Sequence, residues 1–180
     1  MRSGRNNMGR HLLPVVVIIG LLLSGAAYGQ AKEDVRLHRD CIYCGMDRRM
    51  FDFTRVLISY DDGSVTPVCS IHCAAVYLAN KIDKTPKTIQ AGDFNTKDLI
   101  NAEGASWVIG GSKTGVMSKR GKWAFAKKID AGSFIAKNGG VLSDFETAMK
   151  AAYEDMYADT KMIREKRKKN RMKHNTGSGH

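Results

Sequence analysis

Four cysteines arranged in two closely spaced pairs are the feature that most restricts what this chain can fold into. Cys41 and Cys44 form a CxxC pair within "CIYCGM", and Cys69 and Cys73 form a CxxxC pair within "PVCSIHCAAVYLAN". Paired cysteines at these spacings are typical of a metal site, a redox pair or structural disulfides. The other residues near the pairs must distinguish among these three chemistries.

The first pair predicts a tight turn that presents sulfur to one point. Gly45 can take a positive backbone angle and turn Met46 back towards Cys41 and Cys44. Zinc closes a tetrahedron with two such cysteine pairs but has no use for a thioether, whereas Cu(I) prefers thiolate and thioether ligands. Met117 is a second candidate thioether, because "KTGVMSKRG" is a glycine-bearing loop where a buried core methionine is unexpected.

The second pair lies where a helix is predicted to begin. Apolar residues in "SIHCAAVYLANKI" recur at helical spacing. Cys69 and Cys73 are four residues apart, so both thiols project from one face of that helix, with His72 beside them. A helix start also lowers the pKa of a thiol and favours the thiolate, which binds metal or attacks a disulfide.

Disulfides are the alternative to metal or redox chemistry. Four cysteines allow three pairings, but a bond between Cys41 and Cys44 would close a loop too small to contribute much stability. Chemistry is therefore favoured for that pair, while structural, redox and ligand roles stay open for Cys69 and Cys73. A lone histidine such as His72 is more often a hydrogen-bond partner than a ligand, although its neighbours make it a candidate.

Both ends of the chain differ from the middle. Residues 1–29 have a basic start, an apolar run of about a dozen residues and small residues before Gln30, which predicts an export signal cleaved before Gln30, or an anchor if it is retained. Most of the net charge of +11 lies in this signal and in a basic C-terminal tail, residues 161–180. A basic tail on an exported protein argues against nucleic acid; a solvated end is favoured, with contact at an anionic membrane surface as the alternative.

The region between the ends predicts one α+β domain over residues 30–160 with mainly antiparallel sheets. "DFTRVLISYDDGSVTPVCS" reads as a hairpin, a helix and a strand follow, and "ASWVIGG", "KWAFAKK", "DAGSFIAKNGG" and "VLSDF" repeat this order. We therefore expect two strand-strand-helix-strand halves, about 38–94 and 104–145.

A long helix is predicted after the second half. It should begin near Ser143 or Asp144, with Ser143 as the capping residue and Glu146 three positions on. Its methionines, Met149, Met156 and Met162, follow helical spacing and are interpreted as core residues.

Several segments together resemble the NosL family, accessory copper proteins of nitrous oxide reductase maturation. They are "YCGM", "VCSIHCAAVYL", "SWVIGGSKTGVMSKRGKWAFA" and "AGSFIAKNGGVLSDFE", in an order that spans roughly residues 38–150. The cysteine-rich helix start also looks like TRASH-type metal-binding modules. Typical NosL-like proteins carry a lipid-accepting cysteine directly after the apolar run; here "SGAAYGQAKE" has none.

The resemblance implies two related halves and a Cu(I) site with sulfur ligands. By position, the copper ligands would be Cys44 and Met46 from the CGM turn and Met117 from the second half. The expected partner is a periplasmic copper enzyme or its maturation machinery. The family pattern does not require Cys41, Cys69 and Cys73 as a set.

The sequence thus favours a periplasmic Cu(I) carrier that is not an enzyme. One alternative is a thiol-disulfide reductase that uses Cys41 and Cys44, although a thioredoxin-like CxxC should open a long helix after a parallel strand. The other alternative is a four-cysteine zinc module with a structural role.

Overall fold

Residues 33–177 are described by a computed structural model, and the predicted export signal, residues 1–29, lies outside them. Within residues 33–177, every helix is too short or too polar to span a membrane. In chain order the elements are α1 (Glu33–Leu37), β1 (Val56–Ser59), β2 (Val65–Val68), α2 (Ile71–Ala79), β3 (Thr88–Gly92), β4 (Leu99–Asn101), β5 (Ser106–Thr114), β6 (Arg120–Phe125), α3 (Lys128–Asn138), β7 (Val141–Ser143) and α4 (Phe145–Gly177).

The strands form two antiparallel sheets, in the orders β2-β1-β3-β4 and β6-β5-β7. The first sheet begins with the predicted hairpin, in which Val56 pairs with Val68 and Ser59 with Val65. Pro67 is tolerated because β2 is an edge strand. Two strand-strand-helix-strand halves and the α+β class are thereby confirmed, and β4 is an additional strand that the sequence did not reveal.

Helix α4 packs on α2 and on β5. It begins after Asp144, whose carboxylate accepts a hydrogen bond from the Thr147 N–H at 2.8 Å. The cap is therefore Asp144, and the expectation of a Ser143 cap was wrong because Ser143 ends β7. The helix continues through the basic segment as far as Gly177.

One hydrophobic core joins the two halves. Val56 and Ile58 of β1 lie in the same buried cluster as Trp107 of β5 and Phe145 of α4. A second cluster is aromatic, and Phe94 of the first half stacks edge-on against rings of the second half there. Cys41, Cys69 and Cys73 are buried members of the first cluster and Cys44 packs against it, so the packing within the first half brings the thiols together.

Candidate metal centre

The CGM turn has the predicted shape. The Gly45 N–H donates to the Cys41 carbonyl at 2.9 Å, and the Cys41 N–H donates to the Met46 carbonyl at 2.9 Å. Gly45 has a φ of 77°, in the left-handed region that favours glycine. The Cys44 N–H also hydrogen-bonds the Cys41 sulfur, and the Met46 N–H hydrogen-bonds the Cys44 sulfur. These bonds hold both sulfur atoms on the inside of the turn.

A buried arginine fixes this turn to the domain. The Arg48 guanidinium donates to the carbonyls of Val68 and His38 and to the Asp34 carboxylate. Asp34 also accepts two bonds of 2.8 Å from Arg55. Because both guanidinium groups are fully buried, this network gives the segment after the turn a rigid base.

The second cysteine pair lies where the hairpin passes into helix α2, as predicted. Cys69 directly follows β2, Ser70 is the N-cap residue, and Cys73 lies in the first helical turn. The Thr54 hydroxyl donates to the Cys69 carbonyl at 3.0 Å and holds the junction in place. Both cysteines are fully buried.

The two pairs converge on one point. The sulfur atoms of Cys41, Cys44, Cys69 and Cys73 all lie within 4.8 Å of one another. The Cys44 and Cys69 sulfurs are 3.5 Å apart, and those of Cys69 and Cys73 are 3.7 Å apart. All four are free thiols. The structure therefore unites the cysteine set that the sequence presented as two separate pairs.

Hydrogen bonds among the thiols separate their pKa values. Cys44, Cys69 and Cys73 hydrogen-bond to the Cys41 sulfur and lower its pKa. The Cys44 pKa is also lowered, because bonds from Cys69 and Cys73 outweigh the opposing effect of Cys41. The pKa values of Cys69 and Cys73 are raised, mainly by Cys41 and Cys44. Repulsion between neighbouring thiolates thus opposes further ionisation, and a bound cation would relieve that repulsion.

Cys44 also borders a cavity on the outer side of the cluster. It is the half-buried member of the set, and the cavity has a volume of about 490 Å³. Its lining includes His72, Cys73, Met117 and Met156. A neighbouring cavity is lined by Met46, Met117 and Met162. Met117 therefore borders both spaces, one with Cys44 and the other with Met46.

The backbone at Met117 is unusual. Its φ of 59° lies in the left-handed region, which costs a residue with a side chain about 1–2 kcal/mol. The loop is held around it: the Ser118 hydroxyl donates to the Arg120 carbonyl at 3.0 Å, and the Lys119 N–H donates to Asp159 of α4 at 3.2 Å. Strain retained by such bonds is often found at binding sites.

His72 lies beside the thiols but makes its close contact elsewhere. Its Nδ1 atom is 3.4 Å from an oxygen of Asp159 on α4, and both side chains are buried. Burial lowers the pKa of His72, although the Asp159 charge acts in the opposite direction. Its ring nitrogens do not belong to the group of donor atoms within 4.8 Å of one another in the described part of the chain. His72 therefore lines the cavity and contacts helix α4.

Helix α4 supplies the site residues that the sequence analysis missed. Met149 is buried in the core and Met156 packs against it, as predicted, whereas Met162 is partly buried and is not part of that cluster. Met156 and Met162 also line the two cavities, a role that the sequence did not reveal. Arg167 reaches the Cys44 carbonyl at 3.5 Å. Spacings of seven and four residues place Met156, Ile163 and Arg167 on one helix face, and this pattern could have revealed them.

The reductase alternative lacks its structural context. Cys41 and Cys44 lie in a turn followed by further turns, and the adjacent sheet is antiparallel throughout. A thioredoxin-like pair instead stands at the start of a helix that follows a parallel strand.

Fold and site together define an α+β protein with a thiol-rich centre suited to a soft metal ion. The chain matches the NosL family model over residues 33–153, and it belongs to this family. A solved structure of the copper chaperone NosL from Shewanella denitrificans resembles the chain with a TM-score of 0.49 and 26% sequence identity, over 61% of this chain and 88% of that one. No curated protein sequence matches the chain.

Proposed function

We propose that this protein binds Cu(I) as cargo and passes it to an acceptor protein. Membership of the NosL family supports a copper role, and the donor set supports the oxidation state, because thiolate and thioether ligands stabilise the soft Cu(I) ion. The single observation that carries the proposal is the position of Met117, which shares one cavity with Cys44 and the other with Met46.

The site has the features that metal transfer needs. Cu(I) accepts low coordination numbers, so an incoming donor can displace one ligand at a time. Ile42 and Tyr43, between the two turn cysteines, are 57% and 50% exposed, which leaves the turn accessible to an acceptor. In this proposal the protein is a carrier and carries out no catalysis.

Copper binding is tested by anaerobic competition between the reduced protein and a chromogenic Cu(I) chelator. Met46→Leu and Met117→Leu remove a thioether while keeping most of the side-chain volume, so each should weaken Cu(I) binding by at least about tenfold, or about 1.4 kcal/mol. Met149→Leu is the matched control, because Met149 is buried in the core and lines neither of the two cavities. If Met46→Leu and Met117→Leu hold Cu(I) as tightly as the parent, the proposed site is wrong.

The acceptor and the compartment are the finer part of the proposal. We place the protein in the periplasm, either released by cleavage before Gln30 or anchored by a retained signal, and we take nitrous oxide reductase as its client. A strain that lacks the gene should produce that enzyme with reduced copper content. A full copper complement would reject this client and leave the Cu(I) site standing, and the mass of the periplasmic protein distinguishes cleavage from retention.

A further inference from the structure

The four thiols have an arrangement that a Cu(I) site with Cys44, Met46 and Met117 does not explain. Three of them, Cys41, Cys69 and Cys73, are at most 2% exposed. The family match accounts for a copper role but not for three additional sulfur atoms around Cys44. Single buried thiols are common in protein cores, but four sulfurs within 4.8 Å of one another form a donor set that can hold a metal ion.

The spacing of the sulfurs fits a tetrahedral ion. Four sulfurs at about 2.3 Å from a central Zn(II) are separated by about 3.8 Å along the edges of the tetrahedron. The separations of Cys44 from Cys69, 3.5 Å, and of Cys69 from Cys73, 3.7 Å, lie close to that edge. The remaining pairs are within 4.8 Å, so a small contraction would complete the tetrahedron.

We propose that Cys41, Cys44, Cys69 and Cys73 bind one Zn(II) in a closed tetrathiolate site that shares Cys44 with the Cu(I) site. Zinc fits this set better than Cu(I), because Cu(I) accepts fewer ligands and four sulfurs around one point satisfy a four-coordinate ion. Thiols that are protonated before binding release their protons to solvent as the ion enters.

The surroundings favour the negative charge of such a site. The N–H groups of Cys44 and Met46 already point at two of the sulfurs. Cys73 lies in the first turn of the nine-residue helix α2, where the helix dipole favours anions. The ion would join the turn at Cys41 to the start of α2, two segments that are far apart in the sequence. Zinc would thus stabilise the same turn that presents Cys44 to copper.

Co(II) is the probe for this site, because it replaces Zn(II) and its spectrum reports the geometry. The full chain, reduced and metal-free, should bind one Co(II) with sulfur-to-metal charge-transfer bands and the intense visible bands of a tetrahedral complex. One equivalent of Zn(II) should abolish both and raise the unfolding midpoint. A Co(II) spectrum without thiolate bands, or with octahedral intensities, would overturn the proposal.

Two variants separate this site from the copper site. Cys69→Ala should lower Zn(II) affinity by more than about 100-fold, which exceeds the loss expected from removing a residue that only hydrogen-bonds to a metal ligand. The same variant should still bind Cu(I) through Cys44 and the methionines. Met117→Leu should do the reverse. Unchanged Cu(I) binding in Met117→Leu would contradict the carrier site, whereas unchanged Zn(II) binding in Cys69→Ala would contradict the zinc site.

A measurement on the unmodified protein covers the case in which Cys69→Ala does not fold. Iodoacetamide alkylation of the native protein, counted by mass, should proceed at Cys44 first in the metal-free state and be suppressed at all four cysteines by one equivalent of Zn(II). If Zn(II) leaves the alkylation rate of Cys44 unchanged, the four-sulfur site is rejected regardless of the variants.

Discussion

At the scale of single residues, the Asp34 carboxylate holds two buried arginines in place near the site. Asp34 accepts hydrogen bonds of 2.8 Å from both Arg48 and Arg55, and all three side chains are buried. Burial raises the pKa of Asp34, but Arg55 and Arg48 outweigh it, so the net pKa is lowered. Removing the charge would deprive two buried guanidinium groups of the Asp34 carboxylate that they share.

We therefore expect Asp34→Asn to cost about 3–5 kcal/mol of unfolding free energy at pH 7. Because the folded pKa of Asp34 lies below its ordinary value of 3.8, its contribution is present above that value and is lost as pH falls through the folded pKa. Urea unfolding of both proteins from neutral to acidic pH measures this, and the variant should show less acid destabilisation. Asp61→Asn is the control, since its side chain is 85% exposed. A cost below about 1 kcal/mol would mean that water compensates the arginines.

The sequence identified the sulfur donors but not this network. Cysteine and methionine in a short turn indicate a metal site even when the fold is unknown. The structure then shows that the four cysteine sulfurs meet at one point. Asp34, by contrast, reads as an ordinary surface charge near the start of the domain. Its arginine partners are 14 and 21 residues away, and only the tertiary fold brings them together.

At the scale of elements, helix α4 connects the site to the second sheet. Asp155 accepts bonds of 2.8 Å from Arg120 and Lys122 of β6. Residues from Met156 onwards on the same helix line the cavities. The start of the helix therefore determines the register of Met156 and Arg167 relative to the thiols. That start depends on the cap at Asp144.

Asp144→Ala should lower the midpoint of thermal unfolding, because the Thr147 N–H loses its acceptor and the first turn frays. Ser143→Ala is the matched control and should leave the midpoint nearly unchanged, since Ser143 belongs to β7. Circular dichroism melts of the two variants give the comparison. Equal effects, or a larger effect at Ser143, would restore Ser143 as the cap.

The positions of the strands could be predicted from the alternation of apolar residues in the sequence, but their lengths could not. The prediction ended the strand "ASWVIGG" at a glycine pair, whereas β5 continues to Thr114, which pairs with Arg120. Gly110 and Gly111 take φ values of 85° and 90°, and the register shifts between Ile109 and Thr114. Glycines that normally end a strand here form an irregularity within it. A side chain at Gly111 would meet the Asn138 carbonyl at 2.7 Å, so the close approach of α3 requires glycine.

At the scale of the whole molecule, the two repeated halves could be predicted from the sequence, but the contact between them could not. This contact, called the joint below, is made by Asp93 and Phe94 of the first half. Asp93 is 1% exposed and ends the first half's β3 region; one carboxylate oxygen accepts the N–H groups of Asn95 and Thr96, and the other accepts Ala126 N–H of the second half at 2.6 Å. The Phe94 N–H donates to the Ala124 carbonyl beside it. Sequence patterns describe each half separately, whereas this contact depends on how the two sheets face each other.

Because the halves share a core and this joint, we expect one cooperative unfolding transition for the metal-free protein. Tryptophan fluorescence reports the second half, through Trp107 and Trp123, and alkylation of buried Cys73 reports the first. Both probes should give the same midpoint in urea. Asp93→Ala should lower the stability by about 1–3 kcal/mol, because it leaves buried N–H groups without an acceptor, and should keep the transition single.

Asp83→Ala, at an exposed position, serves as the control for that substitution and should unfold like the parent. If the two probes separate in the parent, the halves fold independently and the shared core is not what places Met117 beside Cys44. If they separate only in Asp93→Ala, the joint is the element that couples the halves. In that case the variant should also bind Cu(I) more weakly than Asp83→Ala, since Cys44 and Met117 belong to different halves and a loosened joint no longer holds them in one cavity.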